Sequence, residues 1–245
     1  MDTTQTLSTP APHQLEEWHT RQGRLIRELV FGANDGLVTL VGFVAGVTGA
    51  LSSPRPIILA SEALIVAGSV SMGIGAYLSS KAQREFFDHE IERERWEIQN
   101  MPDMETEEVR THYKKMGFLD NEVEMIVKRI TSSPKLWLRF MMHEELGLVE
   151  ESFDNPLVSG LTVGAAFFVA AWVPVLPYFF ISQIHAAMLA ATALSVGTMF
   201  LMGIAKAKVT SSSIWKSAGE MALLGTLAMV IGYLGSRVAN AVLPQ

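Results

Sequence analysis

The chain has 245 residues, of which 49% are hydrophobic, and a mild formal net charge of −6. It contains no cysteine, which excludes disulfide bonds, thiolate zinc sites and iron–sulfur clusters. The small negative charge gives no reason to expect a nucleic-acid partner. Several apolar runs reach about 20 residues, the length that spans a bilayer, and they predict an all-α, polytopic, integral membrane protein.

The N-terminal part of the chain is expected to lead directly into the membrane. The first 24 residues are polar and lack the short apolar core of a signal peptide. We assign residues 1–24 to a cytoplasmic tail and amphipathic segment, with residues 1–14 disordered and an amphipathic helix over 15–28. The membrane segment 25–80 is predicted to hold two spans, at about 29–51 and 57–78, separated by a proline-containing turn. Glycines four apart in the first span permit close packing of helices.

A charged insertion separates the second span from the third, and we place it at residues 81–155. Lys81–Asp154 holds 18 of the 25 acidic residues and 11 of the 19 basic ones. Ser79 through Asn100 contains neither Gly nor Pro, so the second span is expected to continue out of the membrane as one helix. Three further helices are predicted over 105–116, 120–131 and 134–152, the last two from the cap Asp120 and the first-turn Pro134. The insertion is therefore expected to be a small all-helical domain.

Residues 156–245 are predicted to contain three more spans. They cover about 157–180, interrupted by Pro174 and Pro177, then 184–205 and 214–238. Five spans place the two termini on opposite sides of the membrane. Basic residues close to span ends favour an N-terminus and an insertion on the cytoplasmic side; these are Lys81, Arg84, Lys206 and Lys208. An odd number of spans rules out a simple two-half inverted repeat, so a transport pathway is expected between two subunits.

Acidic residues in the insertion recur three apart, Glu94 with Glu97 and Glu105 with Glu108, and Met141 and Met142 precede Glu145. Residues three or four apart share one face of a helix, so several such faces turned toward one another would form a cage of carboxylate oxygens with sulfur at one side. A thioether beside carboxylates favours iron(II) and its neighbours. The alternative is that the glutamates are solvated helix faces and the methionines are core. His112 and His143 are further candidates, but lone histidines of this kind are more often surface residues.

Polar residues also occur within the predicted spans. Asp35 lies in the first span, where an ionisable group usually faces a pathway; the alternative is that Asn34-Asp35-Gly36 is a turn. Met72 lies in the middle of the second span, where a methionine is usually packing. Glu62 and Glu220 lie near membrane depth and would either serve an ion or a proton, or sit at the interface.

Three stretches resemble the vacuolar iron transporter family. They are Gly32-Ala33-Asn34-Asp35-Gly36-Leu37-Val38, Ser71-Met72-Gly73-Ile74-Gly75-Ala76-Tyr77-Leu78-Ser79-Ser80-Lys81 and Phe140-Met141-Met142-His143-Glu144-Glu145-Leu146-Gly147-Leu148. The resemblance covers about residues 24–242. It implies a homodimeric five-span transporter that moves iron(II) out of the cytosol in exchange for protons, and not an enzyme. By position, it assigns metal binding in the cytoplasmic domain to Glu94, Glu97, Glu105, Glu108, Met141, Met142 and Glu145. It assigns the translocation path to Asp35 and Met72.

One position departs from the family pattern. Plant members place a glutamate in the second span, two helical turns before the methionine of the Ser-Met-Gly motif, and the matching residue here is Leu64. The nearest acidic residue, Glu62, lies about 200° around the helix, so we do not expect Glu62 simply to replace it. It is kept as a candidate for the path.

Iron(II) is the expected cargo, with manganese(II), zinc(II) and cobalt(II) as further candidates. The expected location is a bacterial inner membrane rather than a vacuolar one. Two other functions were weighed. A membrane-bound di-iron oxidase usually needs a Glu-x-x-His motif on each of two helices, and this chain has that spacing only at Glu16–His19. A metal sensor or storage protein anchored by its spans would leave the intramembrane Asp35 without a purpose.

Overall fold

The computed structural model of the chain describes residues 12–49, 51, 53–145, 155–209 and 212–242. For residues 12–22, 145, 209, 236–237 and 239–242 it describes only the backbone. The described part is all-α, as predicted, and contains no strand. In chain order the helices are α1 Pro12–Thr48, α2 Pro54–Asn100, α3 Pro102–Lys115, α4 Asp120–Thr131, α5 Pro134–Phe140, a π-helix Met141–Glu145, α6 Pro156–Ala171, α7 Leu176–Phe180, α8 Ile184–Val209 and α9 Ile214–Val242.

The first helix is uninterrupted from Pro12 to Thr48. The interpretation of Asn34-Asp35-Gly36 as a turn is therefore wrong, and the amphipathic segment and the first span form one helix. Backbone groups within a bilayer must be satisfied by the helix itself, which explains why a sequence typical of a turn stays helical here. The disordered tail expected over residues 1–14 is also wrong for residues 12–14, which are helical, while residues 1–11 lie outside the described part.

Helix α2 runs for 47 residues from Pro54 to Asn100, which confirms the prediction that the second span continues without a break. The third span is broken as its prolines predicted. Helix α6 ends at Ala171, three residues before Pro174, and the short α7 follows. Proline lacks the N–H that would bond to the preceding turn, and its ring clashes with the carbonyl four residues back.

Five helical segments of the described chain are long and apolar enough to cross a membrane. They are Gly23–Thr48, a part of Pro54–Asn100, Pro156–Phe180, Ile184–Lys208 and Ile214–Gly235. The chain divides into two compact units. The first combines Met1–Leu78 and Pro156–Gln245, and the second is Ser79–Asn155. The first unit holds the candidate spans and is called the membrane unit below; the second is called the helical unit.

Two clusters of buried side chains form the core of the membrane unit. One surrounds Phe167 of α6 and includes Leu40, Ile65 and Tyr178; the other surrounds Met199 of α8. The Tyr178 hydroxyl lies 2.7 Å from the hydroxyl of Thr48. A buried hydroxyl needs such a partner, so this contact fixes the short α7 against the end of α1.

Glycines bring the helices of the membrane unit into close contact. A Cβ added at Gly32 would lie 2.4 Å from the carbonyl oxygen of Val163, and one added at Gly36 would lie 2.6 Å from that of Phe167. Helix α2 meets α6 in the same way, since a Cβ at Gly160 would lie 2.7 Å from the Gly73 carbonyl oxygen. These distances leave no room for a side chain, which is the usual role of glycine between helices in lipid.

The helical unit has its own core, centred on Val109, Val123 and Trp137. Arg110 of α3 joins α4 through its Nε, which donates a 2.7 Å hydrogen bond to Glu124 Oε1. Gly117 follows α3 with a φ of 93°, a conformation that favours glycine and commonly ends a helix.

The last helix of the insertion differs from the prediction. A single helix was expected from Pro134 to about Ser152, but α5 ends at Phe140 and a π-helix covers Met141–Glu145. Residues 146–154 lie outside the described part. A π-helical turn is rare and is frequently found at functional sites.

Candidate metal site

Two glutamates from different helices are buried together in the helical unit. Glu94 of α2 and Glu105 of α3 are each 1% exposed, and their carboxyl groups lie close enough for Glu94 to act on the pKa of Glu105. Each is followed four residues later by a buried apolar residue, Ile98 and Val109 respectively, which belong to the core of the unit. Residues four apart share a helix face, so both carboxyl groups lie on the inward faces of their helices.

The environment of Glu105 favours its protonated form. Burial raises the pKa of the Glu105 carboxyl above its ordinary value of 4.5, and the negative charges of Glu108 and Glu97 raise it further. The neighbouring Glu94 carboxyl and the charge of Arg93 lower that pKa in part. Because the net effect is upward, Glu105 holds its proton to a higher pH than an exposed glutamate does.

The second glutamate of each pair is less buried than the first. Glu97 is 23% exposed in its side chain and lies 3.7 Å from Arg93, measured from Oε2 to Nε. Glu108 is half-buried. Both raise the pKa of Glu105 through their negative charge. The four glutamates predicted as ligands, Glu94 included, therefore lie near one another.

The predicted thioether ligands are buried. Met141 is 1% exposed and Met142 is 6% exposed, both at the start of the π-helix. Met141 belongs to the core cluster of the helical unit, so it packs in the core, as the alternative to metal binding proposed. Metal binding by its sulfur stays a prediction. Glu145 ends the π-helix, and its side chain lies outside the described part.

A cleft of about 460 Å³ opens between α3 and the π-helix. Its lining includes two of the predicted ligands, Glu108 and Met141, together with His112 and Glu144. His112 Nε2 lies 3.4 Å from Glu144 Oε2. Glu144 was not among the predicted ligands, and His112 was considered a surface residue. Glu108 and His112 are four residues apart on one face of α3, and this spacing is the signal in the sequence that points to the cleft.

The described residues contain no group of three or more His, Asp or Glu side chains that could hold a metal ion. The structure thus brings Glu94 and Glu105 into contact and places Glu97 and Glu108 near them. Metal binding by the seven predicted ligands stays a prediction.

The predicted path residues lie in the membrane unit. Asp35 is half-buried on the uninterrupted α1, and Met72 is half-buried on α2. Met72 and Leu64 both pack against the core cluster around Phe167. Glu62 is exposed on α2, which agrees with its predicted separation from the side of the helix that carries Leu64. Glu220 is exposed on α9.

The chain is similar to a protein-family model and to several named proteins. Residues 26–237 match the model of the VIT family. A protein named Vacuolar iron transporter 1 from Eucalyptus grandis is 33% identical over 220 residues, which cover 90% of this chain and 88% of that protein. One of the same name from Arabidopsis thaliana is 32% identical over 224 residues, covering 91% and 90% of the two chains. Protein CCC1 from Saccharomyces cerevisiae is 26% identical over 219 residues, covering 88% and 67%.

These relatives bear on the expected location. The plant proteins carry vacuolar in their names and come from eukaryotes. A multi-pass membrane protein fits the five candidate spans, but the expectation of a bacterial inner membrane has no support from the relatives.

Proposed function

The chain belongs to the VIT family, and from this premise we propose that it carries iron(II) out of the cytosol across a membrane in exchange for protons. Relatives with about 32% identity over most of this chain are named vacuolar iron transporters, and they support iron as the cargo. Manganese(II) is a second cargo in this proposal, with zinc(II) and cobalt(II) as weaker candidates. The proposed role is transport and not catalysis.

The observation that carries the proposal is the pair of buried carboxyl groups, Glu94 and Glu105. Burying two acidic groups side by side is unfavourable unless a proton or a cation holds them together. A divalent cation would displace any proton that the pair holds, so that metal binding would release a proton. Carboxylate and thioether ligands hold iron(II) less tightly than thiolates do, which suits a site that must pass its metal on.

The remaining predicted ligands complete the proposed capture site. Glu97 and Glu108 would supply further oxygens from the same two helices. Met141, Met142 and Glu145 would supply the side formed by the π-helix. We place the helical unit in the cytoplasm, on the basis of the basic residues close to the span ends.

Asp35 and Met72 would line the pathway through the membrane. A carboxylate within a transmembrane helix is costly and usually faces a pathway or a partner, and α1 carries Asp35 in regular helix. With five candidate spans in one chain, we propose that the pathway forms between the two subunits of a homodimer.

Transport into sealed vesicles tests the proposal directly. Purified protein is reconstituted, and uptake of iron, manganese, zinc and cobalt is compared with and without a pH gradient. We expect iron uptake to be fastest when the vesicle lumen is acidic, because protons leaving the lumen would then drive metal entry. Uptake no faster than in protein-free vesicles would refute transport. Iron uptake that ignores the pH gradient would refute only the exchange with protons.

A further inference from the structure

An apolar groove of about 440 Å³ opens between α1, α6 and α8 of the membrane unit. All nine residues that line it are apolar, and five of them are alanine, whose side chains are too short to fill the space between neighbouring helices. Two of the lining residues, Leu29 and Val169, are 48% and 70% exposed, so the groove is open at the surface of the unit. Since all three helices contain candidate spans, it opens toward the hydrocarbon of the bilayer.

Basic residues lie one helical turn beyond one end of this groove. Val30 of α1 and Ala205 of α8 both line it, so the beginning of the first candidate span and the end of the fourth lie side by side. Arg27 comes three residues before Val30, and Lys208 comes three residues after Ala205. Residues three apart share a helix face, and both basic residues are exposed. The groove therefore leads from the apolar layer to two cations, and this end is called the basic end below.

The two cations are available to a ligand. Neither Arg27 nor Lys208 forms an ion pair with another residue that the structure describes. The acidic neighbour of Arg27 is Glu28, and its Oε1 accepts a hydrogen bond of 2.6 Å from the hydroxyl of Ser159 on α6. The Glu28 carboxylate is thus held in a contact with α6 and does not neutralise Arg27.

We propose that the groove binds one anionic phospholipid, with an acyl chain along the alanines and the phosphate at Arg27 and Lys208. Basic pockets between transmembrane helices on the cytoplasmic side are suited to anionic lipid headgroups. The orientation proposed above places the basic end in the cytoplasmic leaflet. The inference does not depend on which ion the protein carries.

Charge favours a lipid over a second copy of the chain as the occupant. Two copies in one membrane have the same orientation, so a two-fold axis between them runs along the membrane normal. Packed groove to groove, they would bring the basic end of one copy against the basic end of the other, and like charges repel. A phosphate neutralises those charges instead. The homodimer proposed above is therefore expected to form through another face of the membrane unit.

Lipid binding by the full chain in detergent tests the inference. Delipidated protein is titrated with phosphatidylglycerol and, separately, with phosphatidylcholine that has the same acyl chains. Thermal unfolding measures the stabilisation, because a ligand that binds only the folded state raises the unfolding temperature, and native mass spectrometry counts the retained lipid. We expect the wild type to retain phosphatidylglycerol and to be stabilised more by it than by phosphatidylcholine.

One set of variants tests the headgroup contact. Arg27→Gln combined with Lys208→Gln removes both charges, and each lost charge should raise the phosphatidylglycerol concentration needed for half-maximal stabilisation by about fivefold. Arg27→Lys combined with Lys208→Arg keeps both charges and should bind like wild type. Arg55→Gln removes an exposed cation at the start of α2 and is the control, which should also bind like wild type.

A second set tests the acyl-chain groove. Ala205→Phe fills the groove at an exposed position and should lower the retention of phosphatidylglycerol. Ala193→Phe adds the same ring at an exposed alanine of α8 outside the groove and should retain the lipid. The mass of the protein, measured in the same spectra, gives its oligomeric state.

Three outcomes would overturn the inference. The first is equal stabilisation of the wild type by the two lipids, and the second is equal lipid retention in Ala205→Phe and Ala193→Phe. The third is loss of the dimer in Ala205→Phe with unchanged lipid retention, which would assign the groove to a second copy of the chain. Every readout is lipid binding or oligomer mass, so none of these outcomes depends on whether the protein transports iron.

Discussion

The carboxyl groups of Glu94 and Glu105 lie close together between two helices of the helical unit, and each residue is 1% exposed. They are followed by Ile98 and Val109, which lie in the apolar core of that unit. An acidic pair therefore occupies positions where apolar residues would stabilise the fold better. The metal binding that we propose for the helical unit rests on this pair.

The first prediction concerns the pH dependence of stability without metal. Because the pKa of Glu105 is raised above 4.5, the folded protein keeps this proton at pH values where the unfolded chain releases it. Between pH 4.5 and the folded pKa the native state binds more protons, so its stability falls as the pH rises through that window. In Glu105→Gln this dependence disappears. With chelator present, the unfolding temperature of wild type should therefore fall relative to that of Glu105→Gln as the pH is raised from about 4.5 toward neutrality.

Parallel unfolding curves for the two proteins across this pH range would show that Glu105 does not carry a raised pKa. Adding iron(II) should reverse the effect for wild type, because a ligand that binds only the folded state stabilises it. The same addition of iron(II) should raise the unfolding temperature of Glu105→Gln less than that of wild type.

The second prediction concerns metal binding. Replacing Glu94, Glu97, Glu105 and Glu108 together with alanine removes four proposed ligands, and iron(II) binding to the purified protein should weaken by at least about 10- to 100-fold, the loss seen when even supporting residues of a metal site are changed. The matched control is Glu92→Ala, an exposed glutamate on α2. Calorimetric titration measures both. Equal binding by the fourfold variant and the control would mean that the four glutamates are not ligands.

Much of the fold could be predicted from the sequence because proline marks its boundaries. Helices α5 and α6 begin at Pro134 and Pro156, where a missing N–H costs nothing. Helix α2 ends just before Pro102, as predicted, but α3, which was predicted to start at Glu105, begins at Pro102 itself. The alternative of a turn at Asn34-Asp35-Gly36 fails for an equally physical reason. These residues favour a turn in water, but a backbone in lipid has no water to bond to, so the helix continues.

The candidate site was harder to predict than the fold. A spacing of three places Glu94 and Glu97 on one helix face but does not tell which of them turns inward. The apolar residues four positions later, Ile98 and Val109, carry that information for both pairs. The contact of His112 with Glu144 joins residues distant in the sequence, and no local pattern predicts it.

The third prediction concerns Asp35. Asp35→Ala should abolish metal flux in proteoliposomes while leaving the unfolding temperature close to that of wild type, because Asp35 is only half-buried and α1 is a regular helix that accepts alanine. Asn34→Ala, a neighbouring half-buried polar residue on the same helix, is the control and should retain flux. If Asp35→Ala transports at the wild-type rate, Asp35 has no part in the pathway.

The last prediction concerns the packing of the membrane unit. Gly32→Ala would place a Cβ 2.4 Å from the backbone oxygen of Val163, so α1 and α6 must move apart, at a cost of about 1–3 kcal/mol. At Gly75, by contrast, an added Cβ meets nothing within 4 Å, and Gly75→Ala should stabilise α2 by up to about 1 kcal/mol through helix propensity alone. The unfolding temperature in detergent should therefore fall for Gly32→Ala and stay the same or rise for Gly75→Ala. Since both substitutions add the same methyl group, a fall of equal size in both would show that contact between α1 and α6 is not what limits the size of residue 32.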